Sequence, residues 1–250
     1  MQSLGRYVAT TMMAVAFGAS AQDAPSLVHV PQPMTPARTV RVVLVGDSTV
    51  NHSTGWGSAF CDALPGEIEC INMGKNGRSS KSYRDQGWWK RALELHPQYV
   101  LLQFGANDVK GKGPDRETDP ATTYSDNMKH YIAEAKAASA VPVLVTSVPG
   151  RYYDKSGQFQ NALAPYAEAV RRVGEETGTP VLDLNAQAST LLAGMSQAEA
   201  DEMNYADPVQ SAGTVDRVHM NAHGGQVFGN MVAEEFFRVF PRLSQKYKAR

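Results

Sequence analysis

Short apolar runs recur along the chain, each followed by a polar turn. The first is Val40-Arg41-Val42-Val43-Leu44-Val45, stopped by Gly46; others span Ile68 to Met73, Tyr99 to Phe104, Val141 to Val145 and Val181 to Leu184. Brief β-branched and aliphatic runs of this kind predict strands buried on both faces. Helical spacing fills the intervals: Trp56 to Leu64, Asp85 to Leu95, Thr122 to Ala138, Phe159 to Glu176 with Gly178 as a stop, and Asn221 to Phe240 before Pro241. In the third of these, Tyr124, Met128, Tyr131, Ile132 and Ala135 share one face. Strands alternating with helices predict an α/β fold, a three-layer α/β/α sandwich around a five-stranded parallel sheet with right-handed crossovers.

The N-terminus breaks this pattern. Arg6 precedes an apolar stretch, Tyr7 to Gly18, too short to span a bilayer, and Ala19-Ser20-Ala21 supplies a small-x-small cleavage site. Residues 1–21 read as a signal peptide, 22–39 as an extended proline-bearing leader, and 40–250 as one domain. The expectation is a secreted or periplasmic bacterial protein, monomeric or weakly oligomeric. Export permits a bridge between Cys61 and Cys70, and the sequence leaves the pair bridged or free.

Composition narrows the partners. Apolar residues make up 42% and charged residues 20%, an ordinary globular mix, and 24 basic against 25 acidic residues leave a formal charge of -1. Such a balance argues against an electrostatic grip on nucleic acid or an anionic membrane. No cofactor motif or metal set is expected: His219 and His223 have a helical ligand spacing, but a third ligand is missing.

In open parallel sheets, ligands bind beyond the carboxyl ends of the strands. Gly46-Asp47-Ser48-Thr49 follows the first strand, Asn72 to Ser80 the second, and Gly105-Ala106-Asn107-Asp108 the third; Asp216-Arg217-Val218-His219 precedes the last helix. Serine becomes a competent nucleophile only beside a base that a third group orients. Ser48, His219 and Asp216 can fill those roles, with the backbone N–H groups of Ser48 and Gly77 and the Asn107 amide as oxyanion donors. Taken alone, Ser48 also suits a helix cap, Gly77 a positive-φ turn, and Asn107 a loop bond.

These blocks resemble the SGNH, or GDSL-like, hydrolase superfamily: Gly46-Asp47-Ser48, Asn72 with Gly77, Gly105-x-Asn107-Asp108, and Asp216-x-x-His219 occur in order across the domain. The resemblance is nearer to the rhamnogalacturonan acetylesterase-like branch through Gly55-Trp56-Gly57, Arg78-Ser79-Ser80-Lys81-Ser82-Tyr83, Gln103-Phe104 and Arg116 to Tyr124. It implies a flavodoxin-like layout and a serine esterase that removes acetyl groups from plant cell-wall polysaccharide, pectic rhamnogalacturonan foremost. Ala106 stands where many members of that branch carry His. Arg78, Lys81, Arg84 and Arg151 are candidates for galacturonate carboxylates, and Trp88 or Trp89, with Trp89 preferred, for sugar stacking. Other readings are a lipase or thioesterase on the same scaffold and an inactive glycan-binding protein. The G-x-S-x-G elbow of α/β-hydrolases and the glycine-rich loops of nucleotide binders are absent from the sequence.

Overall fold

The computed structural model describes residues 39–206 and 215–245. The signal peptide and all but Thr39 of the leader therefore lie outside the described residues. In chain order the elements are β1 (Val40–Gly46), α1 (Gly57–Ala63), β2 (Ile68–Asn72), α2 (Ser80–Asp85), α3 (Trp88–Glu94) and β3 (Tyr99–Gln103). Then come α4 (Thr123–Ala137), β4 (Val141–Val145), β5 (Tyr152–Tyr153), β6 (Phe159–Gln160), α5 (Ala164–Thr177), β7 (Val181–Leu182) and α6 (Leu184–Ala193). The last are α7 (Gln197–Asp201), β8 (Asn204–Tyr205), β9 (Asp216–Met220), α8 (Ala222–Val239) and α9 (Pro241–Gln245).

The main sheet has five parallel strands in the order β2-β1-β3-β4-β7, as expected. Alternation along each strand divides the core into two. Val42, Leu44, Leu101, Val143 and Val145 face Phe60 of α1 and Phe228, Val232 and Phe236 of α8. Val43, Val45, Val100, Leu102 and Leu144 face Tyr83, Trp89, Met128, Tyr131, Val170 and Val173 from α2 to α5. Both faces are covered, so the strands read as unbroken apolar runs. The order reverses between β1 and β3, where Gly46 lies opposite Gln103. A crevice opens at such a switch point, outside the carboxyl ends.

Some elements depart from the periodicity. The helix expected over Asp85 to Leu95 is α3, which starts only at Trp88 because Gly87 takes φ +76° before it. A separate helix not expected from the sequence, α2, precedes it from Ser80, where Ser79 and Ser82 form a reciprocal capping box. Phe159 pairs with Tyr153 in a hairpin of two-residue strands, so α5 begins only at Ala164. Strand β7 stops at Leu182 because the Asp183 side chain caps α6 by accepting from the Ala186 N–H. The β8–β9 pairing was not legible at all: among the described residues, Asn204 lies opposite Met220 and Tyr205 opposite Asp216, with a register shift between them.

Cys61 and Cys70 form a disulfide, tying the last turn of α1 to the edge strand β2.

Candidate active site

Ser48 follows β1 on a turn made by its neighbour. Asp47 Oδ1 accepts the Thr49 N–H at 2.8 Å and the Thr49 hydroxyl at 2.7 Å, an Asx turn built from short polar side chains. Thr49 Oγ1 accepts from Gln103 Nε2 at 2.6 Å, and Gln103 Oε1 accepts from Trp56 Nε1 at 2.7 Å. One buried chain of bonds thus joins three of the sequence blocks. Trp56 is fully buried and packs edge-on against Phe60, a structural role.

The Asp216–His219 segment arrives on β9, 171 residues after Ser48. Asp216 Oδ1 accepts the N–H groups of Val218 and His219, each at 2.9 Å, and Oδ2 lies 2.6 Å from His219 Nδ1. Burial alone would raise the Asp216 carboxyl. Bonds from the His219 backbone, the His219 ring and the Val218 backbone outweigh it and hold the group below its ordinary range. A carboxylate there only accepts, so Nδ1 carries the proton and Nε2 is left as an acceptor. Nε2 lies 2.8 Å from Ser48 Oγ. The Ser48, His219 and Asp216 side chains are therefore brought together in the arrangement of a nucleophile, a base and an orienting acid.

The second and third turns are tied to the serine turn and to each other. Asn72 Nδ2 donates to Val50 O at 2.7 Å, and the Lys75 N–H donates to Gly46 O at 2.9 Å. Gly77 sits at φ +72°, a conformation that any side chain would strain. Asn107 is buried and donates to the Arg78 carbonyl at 3.3 Å, so the two loops that bear the expected oxyanion donors touch.

Beneath them is a residue whose part sequence reasoning missed. Asp108 accepts from the Ser80 N–H and hydroxyl, the Thr118 hydroxyl and the Gly105 N–H, at 2.6 to 3.1 Å. It holds the start of α2, the Gly105 turn and the 109–122 loop together. Burial pushes its carboxyl up to about 7 against the Ser80 and Thr118 bonds, and the charge of Asp47 adds to the rise. Asp47 is raised too, by burial foremost, against its bonds to Thr49. The Gly105-x-Asn107-Asp108 block was the only signal for Asp108, and it carried no role.

Several expected substrate contacts lie elsewhere. Trp89 is 3% exposed, donates to Glu134 Oε2 at 2.7 Å and packs on Tyr131. Arg84 donates to Glu134 Oε1 at 2.7 Å and lies over the same ring. Both wedge α2 and α3 onto α4, which leaves no Trp89 face for a sugar. Lys81 pairs with Asp85 at 2.7 Å, and Arg151 is wholly buried. Arg78, by contrast, stays at the rim, bonded to Gln86 Oε1 and Asn76 O. Trp88 is the outer tryptophan, with Lys75 and Arg91 over its ring at 4.3 and 4.7 Å. His219 is on a strand and His223 on a helix, with the Asn221 cap between them, so the helical ligand spacing is not realised.

Residues 44–227 match the model of the GDSL-like lipase/acylhydrolase family. The chain belongs to that family. The chain is an ester hydrolase of GDSL-like type, similar to two curated proteins of Bacillus subtilis. Probable rhamnogalacturonan acetylesterase YesY is 31% identical over 77% of this chain and 90% of its own. Rhamnogalacturonan acetylesterase RhgT is 29% identical over 79% of this chain and 89% of its own. Among solved structures, protein YxiM of Bacillus subtilis shares the fold with a TM-score of 0.67 at 22% identity over 81% of this chain; the chain spans 57% of that protein. In this GDSL-like member, the site described above occupies the switch point of the sheet.

Proposed function

We propose that this ester hydrolase removes acetyl groups from pectic rhamnogalacturonan by an acyl-enzyme mechanism. The observation that carries the reading is the continuous chain Ser48 Oγ, His219 ring, Asp216 carboxylate at 2.8 and 2.6 Å. Ser48 Oγ attacks the acetyl carbonyl while its proton passes to His219 Nε2. The N–H groups of Ser48 and Gly77 and the Asn107 amide receive the oxyanion. Collapse expels the sugar oxygen, which takes the proton from His219, and leaves acetyl-Ser48. Water, deprotonated by His219, then attacks the acetyl carbon; acetate leaves and Ser48 is restored.

The substrate reading is supported by the names of the two Bacillus relatives and by the rim of the Gly77 loop. Arg78, Arg116 and Lys75 have neutral partners there: Gln86 and Asn76 O, Lys112 O, and the Trp88 ring. Three cations not neutralised by these contacts suit a polymer that bears carboxylates. Export of the full chain with cleavage before Gln22 belongs to the same reading. The Cys61–Cys70 bridge supports an oxidising compartment.

The test is acetate release by the mature protein and its Ser48→Ala variant from acetylated rhamnogalacturonan, acetylated xylan and a short-chain aryl ester. Release from the pectic polymer, lost in the variant, is the expected result. Equal or greater release from xylan would overturn the substrate, and release that survives Ser48→Ala would overturn the mechanism. The N-terminus of the exported protein reads out the cleavage site.

A further inference from the structure

We propose that Arg151 is a positioning residue for the Asp216–His219 pair, holding the β9 backbone that carries both side chains. The proposal rests on the reading of Ser48, His219 and Asp216 as the reacting groups. Arg151 lies in the segment after β4 and is fully buried, among the largest such side chains in the protein. Its Nη2 donates to the His219 carbonyl and its Nε to Asn204 Oδ1 on β8. Its own N–H donates to Arg217 O at 2.9 Å, so main chain and side chain both grip β9. Asn204 in turn donates to Asp201 Oδ1 at 2.7 Å, and Asp201 takes both Arg217 Nε and Nη2 at 2.9 Å.

Among the described residues, β9 pairs with the two residues of β8 through a register shift. A planar fork that bonds one strand's carbonyl and the other's side chain ties the two together.

Burying a guanidinium is costly, and Nη1 is buried with no hydrogen-bond partner among the described residues. The planar fork fixes the direction of its two bonds, which a flexible ammonium does not.

The experiment measures kcat and KM, per active site titrated, on a short-chain aryl ester for wild type, Arg151→Lys and Arg151→Gln, with Ser48→Ala as control. Arg151→Lys loses the fork, and kcat per titrated site is expected to fall about tenfold or more with KM in place. In Arg151→Gln, kcat is expected to fall at least as far. A merely structural role would lower the fraction of active sites and leave kcat per titrated site unchanged. A kcat per titrated site within about twofold of wild type in Arg151→Lys, or in Arg151→Gln where it folds, overturns the proposal. Activity that persists in Ser48→Ala identifies instead a failure of the serine mechanism, and the proposal falls with it.

Discussion

Gln103 Nε2 donates to Thr49 Oγ1 at 2.6 Å, locking the ends of two neighbouring parallel strands at the point where the sheet order reverses. The same amide accepts from Trp56, so one side chain ties β3 to both the serine turn and the start of α1. Gln103→Leu leaves the Thr49 hydroxyl and the Trp56 N–H without their partner in a dry site. A loss of about 2–4 kcal/mol is expected in denaturant unfolding, with kcat reduced further because the turn that aims Ser48 loosens.

Asp216→Asn keeps the shape of the side chain and replaces an acceptor by an amide that can reverse the histidine tautomer. The expected loss in kcat is about 10²- to 10⁴-fold with KM little changed. Retained activity would show that Asp216 does not orient His219.

Asn107→Ala removes one expected oxyanion donor while leaving Ser48 and His219 in place. The expected loss is about 10²- to 10³-fold in kcat. A change confined to KM would assign Asn107 to substrate binding instead.

Burial gives the pair Asp47 and Asp108 a distinct pH signature. Asp108 is raised to about 7 from its ordinary value of 3.8, so the folded chain binds more protons than the unfolded one between those limits. Stability contributed by the protonated group is whole below the lower limit and declines as pH rises towards 7, by up to about 4 kcal/mol. Asp47 acts with the same sign. Chemical unfolding across this window should show the decline, and Asp108→Asn should flatten it. An unchanged slope in that variant would remove Asp108 as its source.

The disulfide closes a loop between residues nine apart. Loop-closure entropy predicts that Cys61→Ala/Cys70→Ala loses about 2–3 kcal/mol. Activity at 25 °C should survive, because Cys70 lies opposite Val42, in mid-strand rather than at the carboxyl end of the sheet.

Much of this protein was legible in the linear chain because it rests on local periodicity. Val40 to Val45 and Val141 to Val145 reveal strands, since a strand buried on both faces has little room for polar side chains. Gly178 marks the end of α5 because it takes the left-handed conformation there, at φ 62°. The four blocks carrying Ser48, Gly77, Asn107 and Asp216–His219 were visible for a related reason: each is a short turn whose chemistry is contained in a few adjacent residues.

What tertiary structure decided concerns side chains whose meaning depends on distant partners. Nothing near Arg151 in sequence distinguishes a cation for substrate from one buried behind His219, 68 residues away. Nothing near Trp89 shows that Glu134, 45 residues on, takes its N–H and leaves Trp88 as the outer ring. Asp108 becomes a buried hub only when the loops bearing Ser80 and Thr118 close over it. Hydrophobic spacing specifies which residues lie inside, since burial depends on which face a side chain occupies. Hydrogen bonds and charges depend on direction and distance between segments, and those exist only once the sheet has brought its strand ends together.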